Sequence, residues 1–179
     1  RSLRLDTLED EAVPLPPSDR SGIFDLHPAL SPDGSRFAYV RGLLGPLGTI
    51  ELVERATGNA RVLVEERASH RDLVFTPDGR RLLFSSDLGG AMNLWSIDVE
   101  SGARTQLTKG AGDDLSPSAA DGRIVYQNRR DDHELVLLDP STGQEKVLYT
   151  SRRSLQGVRF DAEGRRVLFS SDVGRSVDV

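Results

Sequence analysis

Residues able to do chemistry are few in this chain and widely scattered. There are three histidines (His27, His70 and His133), no cysteine, and two adjacent aspartate pairs, Asp113-Asp114 and Asp131-Asp132. A zinc site draws its ligands from closely spaced His and Cys residues, and these histidines are isolated from one another. His27 and His70 precede first strands, at the junctions between repeats, and His133 opens a third strand. All three are expected as loop or edge residues. A carboxylate pair does acid–base work only in a pocket that perturbs its pKa values, and both pairs fall where exposed turns are expected. The EF-hand spacing of acidic residues is missing. So are Gly-x-Ser-x-Gly on a strand-to-helix elbow and a phosphate-cradling loop, since no helix follows Gly89-Gly90. The residues predict no catalytic group, no metal site and no cofactor.

The elements that would position such residues are clearest between Arg71 and Asp114. Leu73-Val74-Phe75 is a short apolar run that stops at Thr76-Pro77-Asp78-Gly79. Proline presets φ, aspartate bonds back to the backbone and glycine accepts positive φ, so this is a tight turn. Leu82-Leu83-Phe84 is a second run, Met92–Val99 a third, and Glu100-Ser101-Gly102 reverses the chain into a polar fourth, Thr105–Thr108. Nothing leaves room for a helix, so the four strands form an antiparallel meander. Consecutive apolar residues in the second strand predict cover on both faces, and the polar fourth suits an exposed edge. That is the anatomy of a propeller blade. Trp95, in the third strand, is expected to pack between blades.

Copies of this unit recur. The turns Asp33-Gly34, Asp78-Gly79, Asp121-Gly122 and Glu163-Gly164 place their glycines at intervals of 45, 43 and 42 residues. The fold class is therefore all-β: a β-propeller with four-stranded antiparallel blades at about 23–70, 71–113 and 114–155, and a half-blade at 156–179 that stops after its second strand near Asp172. The third copy lacks the proline before its aspartate and the fourth has Glu163 in its place. Both changes weaken the turn without shifting the register. Three and a half blades fall short of the four to eight that usually close a propeller, so a partial or open propeller is expected. Residues 1–22, with Glu9-Asp10-Glu11 and Pro14, Pro16 and Pro17, read as a linker that can lay one edge strand on the sheet.

Composition narrows the partners. The 179 residues are 37% hydrophobic and 28% charged, with a net charge of −5. No apolar run approaches the roughly 18 residues of a membrane helix. No signal peptide or initiator Met is present, so the chain is expected to begin after processing or as an excised fragment. Lys109 and Lys146 are the only lysines, and the arginines are scattered, which argues against a nucleic-acid surface. With the strands committed to packing, partners are expected at loops. The most polar loop candidates are Arg71, Arg129, Arg130, Asp131, Asp132, Arg152 and Arg153.

Pro28-Ala29-Leu30-Ser31-Pro32-Asp33-Gly34-Ser35-Arg36, followed by an apolar strand and a third strand ending in Asp, resembles the WD-repeat-like β-propeller repeat typified by TolB. The match runs over about residues 24–173. What the resemblance implies is a choice of roles on one scaffold. One is a non-catalytic protein-interaction or sensory domain of a periplasmic, envelope or signalling protein. Another is the gating propeller of a prolyl-oligopeptidase-like serine peptidase, with the catalytic domain elsewhere. The incomplete blade count, separately from the resemblance, allows a third: self-association of two half-rings through their open blade faces. A protein or peptide partner is expected, and no membrane contact by this chain itself.

Overall fold

The structure, a computed structural model, describes residues 2–3, 10–11, 23–43, 48–66, 68–110, 112–130, 132–151, 154–161, 163–173 and 176–178. Seventeen strands are assigned among them. The first two, β1 (Ser2–Leu3) and β2 (Asp10–Glu11), pair only with each other. The remainder of the 1–22 segment, where the sequence suggested a linker able to lay an edge strand on a blade, lies outside the described residues.

The rest forms four separate antiparallel sheets in chain order. Blade one is β3 (Ile23–Leu30), β4 (Arg36–Leu43), β5 (Gly48–Glu54) and β6 (Ala60–Val64). Blade two is β7 (His70–Phe75), β8 (Arg81–Ser86), β9 (Asn93–Asp98) and β10 (Arg104–Gln106). Blade three is β11 (Asp113–Ala120), β12 (Arg123–Arg129), β13 (His133–Asp139) and β14 (Gln144–Ser151). Blade four holds β15 (Leu155–Phe160), β16 (Val167–Val173) and β17 (Ser176–Asp178). Its third strand corrects the sequence reading, which ended the repeat at the second. Three residues, Ser176-Val177-Asp178, were too short a run to signal a strand, but they pair with Ser171, Asp172 and Val173.

Side chains on alternate faces build the seams. On β8, Leu82 and Phe84 enter a core shared with blade one (Ala38, Val40, Ile50, Leu52), while Leu83 enters a second core with Ile124, Tyr126, Val136 and Leu138 of blade three. Consecutive burial on this strand is two cores meeting across one sheet. A third core joins Val125 and Leu135 to Leu155 and Val158 of blade four. Trp95 is partly buried against the first core, with the Arg104 guanidinium 5.5 Å from its ring centroid.

Each first strand carries a β-bulge, and the residue in it has positive φ: His27 (52°), Asp72 (56°), Ser116 (52°) and Gly157 (64°). An αL residue inside a strand bends it and sharpens its twist. Several residues expected in loops between blades lie on these strands instead. His70 and Arg71 begin β7, paired with Ser86 and Ser85, and Asp113 and Asp114 begin β11, paired with Arg129 and Asn128. The bulge is what lets pairing run past the point where the apolar pattern fails.

Candidate binding cleft

The turn between the first two strands of a blade decides how blades meet. In blade two, Thr76 Oγ1 donates to Asp78 Oδ1 (2.6 Å) and accepts from the Arg81 N–H (3.1 Å), while Arg80 N–H donates to the same aspartate (3.0 Å). Blade one repeats this with Ser31 and Asp33: Ser31 Oγ–Asp33 Oδ1 is 2.6 Å, and Ser35 donates to Asp33 from both N–H and hydroxyl. These donors, the Ser31 hydroxyl foremost, hold the Asp33 pKa down to about 2. Asp78 is lowered in the same way, first by Thr76. In blade four Asp161 takes the cap itself, accepting from Arg165 and Arg166 N–H.

Blade three differs. Only Asp121 and Gly122 separate β11 from β12, where blades one and two use five residues. Both have positive φ, 49° and 69°, the signature of a type I′ hairpin. The missing proline therefore marks a change of turn type and length, and not a weakened copy of the same turn.

The shorter turn removes an interblade clasp. Arg36, the residue after the first-blade turn, donates to the Gly79 carbonyl of blade two (3.3 Å), and also pairs with Glu100 (2.6 Å). Arg123 in blade three donates to the Gly164 carbonyl of blade four (2.8 Å). Arg81 holds the same position in blade two, yet its guanidinium has no hydrogen bond or ion pair among the described residues. In its place the seam between blades two and three opens into a cleft of about 550 Å³. Arg81, Leu83, Ser96 and Leu107 form the blade-two wall, and Ala119, Gly122, Ile124 and Pro140 face them from blade three. Ser96 is buried and its hydroxyl has no partner. Asp78 and Asp121 also line the cleft. Asp78 is held by its own turn, and Asp121 lies 3.5 Å from Arg123.

The opposite end of the same seam is tightly tied. Asp114, only 4% exposed, accepts from the Thr108 hydroxyl (2.5 Å) and Asn128 Nδ2 (2.6 Å), and its N–H donates to the Met92 carbonyl (2.7 Å). Burial pushes its carboxyl pKa up against those two hydrogen bonds. The solvated-turn reading of Asp114 is thereby corrected: the adjacent blade covers it. Nearer the middle, Asp72 accepts from the Ser116 N–H (2.9 Å) and lies 3.8 Å from His27, so one carboxylate touches three blades. Closed above and open below, the seam forms a wedge.

The loop candidates lie away from this cleft. Arg71 is on β7 and Arg129 ends β12, paired with Asp113 at 2.5 Å. Arg130 and Asp132 share the turn between β12 and β13, joined by a backbone hydrogen bond of 3.1 Å. That turn is at the end of the blade opposite the Asp121-Gly122 hairpin. Asp131, Arg152 and Arg153 lie outside the described residues. The turn residues Asp33, Gly34 and Gly164 sit at the same end as the cleft. Sequence reasoning missed Arg81 and Ser96. The available signal was the spacing after the turn glycine: one residue precedes the apolar run in Gly122-Arg123-Ile124, against two in Gly79-Arg80-Arg81-Leu82.

No protein-family model matches the chain. An uncharacterized protein of Agrobacterium fabrum is 28% identical over 100 residues, which is 55% of this chain and 34% of that protein. TolB from Acinetobacter baumannii superposes with a TM-score of 0.76 at 22% identity, over 96% of this chain and 42% of its own. A puromycin-hydrolyzing peptidase of Mycobacterium tuberculosis gives 0.70 at 18% identity, over 83% of this chain and 25% of the peptidase. An oligogalacturonate lyase of Vibrio parahaemolyticus gives 0.67 at 14%, over 84% of this chain and 47% of the lyase. The chain thus spans about a third of its curated relative and less than half of these structures. The likeness is one of fold, a TolB-type propeller.

Proposed function

We propose that this chain is a non-catalytic binding module that meets a protein or peptide partner outside the cytoplasm. The observation that carries this reading is the cleft between blades two and three. Its volume is in the range of ligand pockets, its wall is largely apolar, and it offers one uncommitted guanidinium and one unpartnered hydroxyl. Its hydroxyls, from Thr76, Ser96, Thr105 and Ser141, have no histidine or lysine among the cleft residues to act as the base a nucleophile needs. The fold likeness to TolB supports an envelope location.

Peptide selection by phage display on the immobilised chain, followed by calorimetry with the synthetic peptides, tests it. Saturable binding with the peptide recovered intact is the expected result. No enrichment over a blank surface would overturn it, and cleavage of the peptide would overturn its non-catalytic part. The likeness to a puromycin-hydrolyzing peptidase favours a second reading, the gating propeller of a serine peptidase. A hydrolase domain with Gly-x-Ser-x-Gly in the same polypeptide would decide for it.

A further inference from the structure

We propose that the cleft between blades two and three binds the C-terminus of a peptide whose last side chain is apolar, with the α-carboxylate on Arg81. This rests on reading the chain as a peptide-binding propeller, and it names the site and the chemistry. Arg36 and Arg123 show what an arginine at this position does: each reaches a main-chain oxygen of the next blade's turn, at 3.3 and 2.8 Å. The blade-three hairpin is too short to present one to Arg81. A ligand that supplies a main-chain oxygen there completes the pattern. A carboxylate does so best, because the guanidinium fork can hold both its oxygens, and charge-assisted bonds are the stronger ones.

The neighbouring residues fit the rest of such a ligand. Arg81 and Leu83 are two apart on β8, and Ser96 is paired with Leu83, so all three point from the face that looks at blade three. Two positions along a strand are about 6–7 Å apart, roughly the rise of two extended peptide residues. With its carboxylate on Arg81, a terminal residue lays its side chain against the partly buried Leu107 and Ala119, over Leu83 and Ile124, with the Ser96 hydroxyl beneath. That hydroxyl is the second, independent mark of a missing ligand, since a buried polar atom normally finds a partner. The three carboxylates nearby make no ion pair with Arg81: Asp78 is held by Thr76 and Arg80, Asp121 lies beside Arg123, and Asp98, opposite Arg81 on β9, accepts from Glu100 and Ser101.

The test titrates the full, isotope-labelled chain with acetyl-Ala-Pro-Leu as the free acid, as its C-terminal amide, and with acetyl-Ala-Pro-Asp amide, followed by NMR. The free acid is expected to shift the Leu83, Ser96 and Leu107 amides saturably. Amidation, or Arg81→Gln, is expected to weaken binding by about tenfold, ~1.4 kcal/mol. Arg36→Gln, whose arginine is already clasped, leaves affinity unchanged. Equal binding of the amide, or of the aspartyl peptide, overturns the terminal carboxylate as ligand. Shifts confined to loops at the other end of the blades overturn the cleft while the binding-module reading stands. No response to these peptides or to any phage-selected one overturns both.

Discussion

A buried histidine without partners makes stability depend on pH in a defined direction. His70 sits on β7 with its ring edge-on to Phe84 at 5.7 Å, and neither ring nitrogen has a partner. Burial pushes its pKa below the ordinary 6.5. The unfolded chain then takes up a proton that the folded chain resists, so stability falls as pH drops below 6.5 and is regained above it. His70→Phe should flatten that part of a plot of Tm against pH; an unchanged slope would mean the ring is not buried as neutral imidazole. The turn carboxylates act lower down. Stability from Asp33 is complete above the ordinary 3.8 and is lost as pH falls through about 2, a slope that Asp33→Asn should reduce. Backbone strain is the third residue-level effect. Gly79 has φ of +68°, and a Cβ there would meet only Pro32 Cδ at an ordinary 3.6 Å. Gly79→Ala should therefore cost about 1–2 kcal/mol through the backbone alone, read from urea denaturation.

Among the elements, the turn between first and second strands does most to distinguish one seam from another. Arg123→Gln should cost about 0.5–1 kcal/mol by releasing the Gly164 carbonyl, a fall of roughly 1–4 °C in Tm. Arg81→Gln, at the equivalent position, should change Tm by less than about 1 °C, since it clasps nothing. Equal losses would mean the seams are alike and the cleft is no exception. The blades themselves were legible in the sequence, because alternating cores leave apolar runs and the Asp-Gly turns punctuate them. The first-strand bulges were not. Only Gly157 of the four bulge residues is a glycine, and His27, Asp72 and Ser116 give no local sign of positive φ. Asp72 is fixed there by its bond to Ser116 in the next blade, a contact 44 residues away in sequence. The cleft escaped notice for a similar reason: it follows from turn length compared across repeats, not from any residue with chemistry of its own.

At the scale of the molecule, the arc of four sheets has two outer faces. Phe24, Leu26 and Leu30 on β3 and Leu168 on β16 are exposed, and Phe37, Tyr39 and Val53 form a small core on the first-blade side turned away from blade two. Apolar faces of this kind predict that the purified 179-residue chain associates, with a mass above that of one chain in light scattering at rising concentration. A monomer across the whole series would contradict this. The interior seam is a separate matter, because its gap is bounded on both sides by blades of the same chain. The most direct measurement is peptide affinity in a chain whose Asp121-Gly122 hairpin is replaced by Thr-Pro-Asp-Gly-Arg, the turn of blade two. A turn of that length gives Arg81 a carbonyl to clasp and fills the cleft. A Tm raised by about 1–4 °C, the size of one clasp, is expected together with binding of acetyl-Ala-Pro-Leu weakened by at least about tenfold. Undiminished binding in the grafted chain would contradict it.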